Sequence, residues 1–152
     1  NRDVVNRLRE AGIAPIESLD EAQCGDYVII RSHGVPKKIY EELETRGINF
    51  IDATCPFVSN IHRIVSAAYE RGEQVFIVGN PEHPETIGIN GHCGNSAIFI
   101  RGEEELRKLE GRSGCLVVQT TFDSETFAAM QRVIEREYPH IRTRSIRSQR
   151  TR

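Results

Sequence analysis

Five side chains in this sequence have types and spacings that could do chemistry on a bound oxygen. They are His33 in Ser32-His33-Gly34-Val35, Cys55 in Asp52-Ala53-Thr54-Cys55-Pro56, His83 and Glu85 on either side of Pro84, and Thr120 in Gln119-Thr120-Thr121. His83 and Glu85 set an imidazole and a carboxylate two residues apart in a rigid turn, which suits proton delivery. Cys55 stands before a proline fit for the first turn of a helix, and a helix N-terminus favours the thiolate that ligates metals. Each position also has a plainer reading when taken alone. His33 fits a loop or cap, Cys55 a small residue under a helix start, His83-Pro84-Glu85 a solvated loop, and residues 119–121 a cap ahead of Asp123 and Ser124.

The segments around these residues must bring them together. Apolar runs at 27–30, 49–52, 74–79, 97–100 and 115–119 alternate with helical patterns over about 35–46, 57–71, 103–109 and 124–137. That rhythm predicts an α/β fold of repeated βα units with mainly parallel sheets, whose ligand sites lie outside the carboxyl ends of the strands. All five candidate residues follow a predicted strand. Residues 80–85 read as a polar loop. Residues 141–152 hold five arginines and no acid and lack apolar alternation, so they read as a disordered tail outside the sheet.

Apolar residues at 38% and charged residues at 28% describe a soluble globular protein. The formal charge is −2, and taking away the five tail arginines leaves residues 1–140 at −7, which argues against a broad nucleic-acid surface. No apolar run approaches the roughly 20 residues of a membrane span, and no signal layout opens the chain, so a cytoplasmic protein without a membrane partner is expected. The four cysteines Cys24, Cys55, Cys93 and Cys115 include no C-x-x-C pair. Each is then either a small buried residue or a ligand to something built from distant segments. The first residue is Asn1, leading straight into a helical stripe of Val4, Val5 and Leu8, so the chain is expected to begin inside a larger protein.

Taken in order, Ser32-His33-Gly34-Val35, Asp52-Ala53-Thr54-Cys55-Pro56, His83-Pro84-Glu85 with Gly88 beyond, and Gln119-Thr120-Thr121 resemble the 4-hydroxy-3-methylbut-2-enyl diphosphate reductase family of isoprenoid biosynthesis. The resemblance covers nearly all of residues 1–140. It implies the central portion of a three-lobed enzyme: an incomplete first αβ lobe over 1–55, a complete second lobe over 56–140, and the tail over 141–152. It implies an iron–sulfur oxidoreductase in which three cysteines hold one 4Fe–4S cluster, with Cys55 as one metal ligand. Glu85 and His83 match the positions that hydrogen-bond the substrate's allylic hydroxyl and relay a proton to it. Thr120 matches the hydroxyl beside them, so that His83 and Thr120 are substrate-binding as well as catalytic, and His33 matches one of the substrate-binding histidines that hold the diphosphate. The implied reaction is a two-electron reductive loss of that hydroxyl, giving isopentenyl and dimethylallyl diphosphates. The implied partners are the allylic diphosphate and a ferredoxin- or flavodoxin-like electron donor.

The pattern is incomplete in this chain. The family's first cluster cysteine, in a Gly-Phe-Cys-type turn, has no counterpart, and Arg147 stands where the third is expected. The third lobe, with its serine and asparagine diphosphate contacts, is missing. Cys24, Cys93 and Cys115 match no cluster position. The chain alone is therefore expected to lack the cluster and to be inactive, as a fragment of a longer enzyme. Two other readings stand beside this one: a cluster-free αβ binding module that keeps the fold without catalysis, and a mononuclear metal enzyme using His33, His83 and Glu85.

Overall fold

The computed structural model describes residues 2–144. Helix α1 (Arg2–Glu10) opens the chain, and a short 3-10 turn at Leu19–Glu21, capped by Ser18, precedes the first sheet. Strands β1 (Tyr27–Ile30) and β2 (Asn49–Asp52) pair in parallel, Tyr27 opposite Asn49 and Ile30 opposite Asp52, with α2 (Lys37–Thr45) as their crossover. Helix α3 (Pro56–Glu70) then leads into a second sheet of β3 (Gln74–Val78), β4 (Ile98–Ile100), β5 (Gly114–Val118) and β6 (Ile141–Arg144). Its order is β4-β3-β5-β6 and every pair is parallel. Helix α4 (Pro84–Gly91), a 3-10 segment at Glu103–Leu109 and α5 (Ser124–Glu137) make the connections.

The continuous apolar runs of β3 and β5 follow from burial on both faces, as parallel strands require. Phe76, Val78 and Leu116 pack against Leu106, Leu109, Phe127, Met130 and Ile134 on one side. The alternate residues Val75, Ile77, Cys115 and Val117 pack against Ile61, Val65 and Ala68 of α3 and against Ile89 and Cys93 on the other. The two-stranded sheet has a smaller core of Leu19, Ala22, Ile30, Leu43 and Ile48, joined by Val28, Val35, Ile39, Tyr40 and Phe50.

An α/β fold with parallel sheets is what the sequence rhythm predicts, and two segments depart from the expectation. The stretch read as a loop through Glu85 gives way at Pro84 to α4. Gly88 and Gly91 weaken any helical propensity there, but Pro84 fits the first turn and the His83 side chain caps it. The arginine-rich tail was expected to stay outside the sheet, yet its first four residues form β6, paired to β5 from Gly114–Ile141 to Val117–Arg144. An edge strand needs only backbone pairing on one side and tolerates charged side chains on the other, and Arg142 pairs with Glu73 at the entry to β3. Residues 145–152, Arg147 among them, lie outside the described residues.

Candidate functional site

Glu85 is the most deeply buried acid described, at 1% exposure. A carboxylate out of water needs hydrogen-bond donors, and Thr120 supplies both. Its backbone N–H donates to Glu85 Oε1 at 2.6 Å and its hydroxyl donates to Oε2 at 2.6 Å. Glu85 is held in turn by the start of α4, where its own N–H donates to His83 Nδ1 at 3.2 Å. That bond makes Nδ1 the acceptor, so in the neutral ring Nε2 carries the proton and is the donor. The Thr86 hydroxyl donates back to the carbonyls of His83, at 2.9 Å, and Asn80.

Gln119 ties the loop after β3 to the loop after β5. Its Oε1 accepts from the Asn80 N–H at 3.0 Å and its Nε2 donates to the Thr121 hydroxyl at 2.8 Å. The approach depends on Gly79, where a Cβ would meet Gln119 Oε1 at 2.7 Å and Thr86 Cγ2 at 3.0 Å. Thr120 is thereby fixed opposite Glu85, while the cap of α5 falls to Asp123, whose side chain accepts from the Thr126 N–H at 2.8 Å.

The smaller sheet brings its own residues to the same place. After β1 the chain turns at Ser32–Gly34, with the Gly34 N–H donating to the Arg31 carbonyl at 2.9 Å. After β2, Asp52 organises the turn into α3: it accepts from the amide of Thr54 at 2.9 Å, from the Thr54 hydroxyl and from the Tyr40 hydroxyl at 3.1 Å. Partial burial pushes the Asp52 carboxyl up, but the Thr54 and Tyr40 hydrogen bonds outweigh it and the net shift is down. The Cys55 N–H then donates to the Ser32 carbonyl at 3.0 Å, stitching the two turns together. Cys55 caps α3 with its backbone and its thiol makes no capping bond. The His33 and His83 rings meet edge to face with centroids 5.5 Å apart, so the turn after β1 touches the start of α4.

All five residues singled out in the sequence therefore lie at the carboxyl ends of parallel strands. His33 and His83 are in ring contact, Glu85 and Thr120 are hydrogen-bonded, and Cys55 joins the group through the Ser32 carbonyl. Two residues that the motifs did not flag lie directly beneath. His62 and His92 stack with centroids 4.0 Å apart and planes 22° apart. Burial lowers both rings, His62 to about 4. The available signal was a histidine at a core-facing position of α3, beside Val58, Ile61 and Val65.

Among the described residues no three His, Cys, Asp or Glu side chains come together as a metal-holding group. His33, His83 and Glu85 do not gather as the mononuclear reading requires. Of the other cysteines, Cys93 and Cys115 are buried in the core and Cys24 is exposed ahead of β1. For a 4Fe–4S cluster the described residues thus offer one suitable thiol, Cys55, and the donor set is incomplete within them.

The family described as LytB protein matches residues 1–150. Relatives include the 4-hydroxy-3-methylbut-2-enyl diphosphate reductase of Clostridioides difficile (strain 630), 38% identical over 133 residues, covering 86% of this chain and 48% of the relative. That of Clostridium perfringens (strain 13 / Type A) is 44% identical over 129 residues, covering 84% and 45%. A solved structure of (E)-4-hydroxy-3-methyl-but-2-enyl diphosphate reductase, the terminal enzyme of the non-mevalonate pathway, superposes with TM-score 0.82 at 34% identity over 95% of this chain and 53% of that one. The Plasmodium falciparum reductase gives 0.86 at 26% identity, over 95% and 46%. The chain spans about half the length of the curated relatives it matches.

Proposed function

Because this chain belongs to the LytB family, we propose that it is the central part of a cytoplasmic 4-hydroxy-3-methylbut-2-enyl diphosphate reductase, inactive until the rest of the enzyme completes it. In this reading residues 1–55 belong to one lobe and residues from Pro56 onward to a second. The reaction replaces an allylic hydroxyl by hydrogen, consuming two electrons and two protons and releasing water. Cys55 would contribute one thiolate to a 4Fe–4S cluster and the remainder of the enzyme the others, and the cluster would supply the electrons that a ferredoxin- or flavodoxin-like donor delivers.

The observation that carries the reading is the Glu85–Thr120 pair beside the His33–His83 contact. Hydroxide is a poor leaving group, so a positioned acid at the allylic oxygen lowers the barrier. Glu85 is the group to hold that proton: Thr120 fixes both of its oxygens and α4 fixes its backbone. The Nε2–H of His83 and the Thr120 hydroxyl orient the substrate oxygen, and His33 holds the diphosphate end. The two bonds from Thr120 to Glu85 are short and already in place, which limits the reorganisation needed at the moment of reaction.

The test is a reduced-dye assay on the longer protein under anaerobic conditions, with Glu85→Gln beside the unaltered enzyme. Removing the acid while keeping its size should lower kcat by about 100-fold or more. Turnover within about threefold of the parent would remove Glu85 from the mechanism. Stable assembly of an iron–sulfur chromophore on residues 1–152 alone would overturn the assignment of the remaining ligands to the rest of the enzyme.

A further inference from the structure

The turn that carries His33 rests on a pair of stacked histidines. His92 Nε2 donates to the Val35 carbonyl at 3.1 Å, and its Nδ1 lies 3.4 Å from the Ser66 hydroxyl. His62 fills the space below Gly34: a Cβ there would stand 2.4 Å from its Cε1 and 3.2 Å from its Nε2. Gly34 has φ +69, so its bare backbone is required both by conformation and by the ring beneath it. On the other side a Cβ on Gly88 of α4 would lie 3.5 Å from His62 Nε2 and 3.5 Å from the His33 carbonyl. His62 therefore stands where the His33 turn, α3 and α4 converge.

The ring is 94% buried, and its Nε2 has no hydrogen-bond partner. A buried polar nitrogen left unpaired costs roughly 1–3 kcal/mol. Such a group calls for a partner in another state or with a ligand bound, and the other unpartnered buried side-chain atom among the described residues is Nδ1 of His33, on the adjoining turn. The backbone packed beside Nε2 is that of Gly34 and Gly88, where a Cβ would stand 3.2 Å and 3.5 Å from it, while His92 covers one face of the ring.

We infer that His62 is a positioning residue for His33: its buried Nε2 is the unspent hydrogen-bond group that receives the His33–Gly34 backbone when the turn closes on a bound diphosphate. This rests on the proposed reading of His33 as a diphosphate contact. It assigns His62 no contact with substrate and no part in proton transfer to the allylic oxygen.

The test compares His62→Gln with His62→Asn in the longer protein. A glutamine amide reaches the position of Nε2, whereas an asparagine amide reaches only that of Nδ1. KM and kcat for the allylic diphosphate are measured together with calorimetric binding of inorganic diphosphate. In the asparagine variant KM and the diphosphate Kd should both rise about tenfold, the worth of one hydrogen bond, with kcat within about twofold. In the glutamine variant both should return to within about threefold of the parent. Equal losses in the two variants, or a loss confined to melting temperature with KM unchanged, would overturn the inference while leaving the diphosphate reading intact. An unaltered protein that does not bind inorganic diphosphate at all would overturn that reading, and this inference with it.

Discussion

The two parallel sheets are made from the same βα unit, yet one is covered on both faces and the other on one. In the four-stranded sheet, Phe76, Ile77, Val78, Leu116 and Val117 are fully buried, with helices on both sides. In the two-stranded sheet, Val28, Ile30 and Phe50 face α2, while Tyr27, Ile29 and Ile51 lie open, Tyr27 at 71% exposure. Parallel sheets are stable chiefly where both faces are covered, so the larger sheet has the means to be self-sufficient and the smaller does not. The candidate site is divided between them: Glu85, His83 and Thr120 hang from the larger sheet, His33 and Cys55 from the smaller. In the proposed reading the half that holds the proton is thus the one buried on both faces, and the half that holds a ligand or a cluster iron is covered on one face only.

The largest expected effect tests the self-sufficient half. Leu116→Ala in β5 should cost about 3 kcal/mol of unfolding free energy, since it opens a cavity in the core that Leu116 shares with Phe76, Val78 and Met130. Urea denaturation measures it, and a loss below about 1 kcal/mol would mean that the four-stranded core is not closely packed.

Acidification should act where the two halves meet. Burial is the main reason that His62 is held to about 4, with its neighbour His92 adding to the effect and Asp52 opposing it. On His92, burial again comes first, the Val35 carbonyl opposes it and Lys37 adds to it; Tyr40 lies against the same ring. A histidine whose folded value is depressed binds fewer protons than in the unfolded chain, so stability is full above the unfolded value near 6.5 and falls as pH drops toward 4. The loss attributable to His62 is on the order of 3 kcal/mol once both values are passed. Urea midpoints at pH 7 and pH 4 for the parent and His62→Gln should converge in acid, and an equal acid loss in both would remove His62 as the cause.

A smaller effect is expected at Thr120→Val, which deletes one of the two donors to Glu85 and keeps the shape. The backbone N–H still reaches Oε1, so the loss should be about 1.5 kcal/mol. Complete unfolding would show that the hydroxyl does more to hold the buried Glu85 side chain than one of two hydrogen bonds accounts for.

What could be read from the sequence follows the same division. The strands of the larger sheet were legible because double burial leaves unbroken runs such as Val75-Phe76-Ile77-Val78. The placement of the five candidate residues at strand ends was legible because glycines, prolines and hydroxyls punctuate the ends of the apolar runs. Helix α4 was not, because Gly88 and Gly91 break its propensity and tertiary contacts with α3 decide it. Strand β6 was not, because backbone pairing to β5 overrides the arginine side chains. His62 was hidden for a different reason: in a helix, one polar residue among Val58, Ile61 and Val65 carries no mark of what lies across from it.

The smallest effect in this chain separates the two sheets most sharply. Ile51 is 55% exposed in β2, on the uncovered face, and its neighbours on that face are Tyr27 and Ile29. Ile51→Lys should therefore change the stability of residues 1–152 by no more than about 0.5 kcal/mol, as for a surface substitution. The same substitution in the longer protein meets a different environment if the rest of the enzyme covers this sheet. A lysine there would be buried without a partner, costing several kcal/mol, and the disturbance would reach Cys55 three residues after β2. The longer Ile51→Lys protein should thus lose melting temperature and iron content together, while the short chain barely changes. Equal and small effects in both would mean that this face stays open to solvent in the complete enzyme, and that Cys55 is held by the Asp52–Thr54 turn alone.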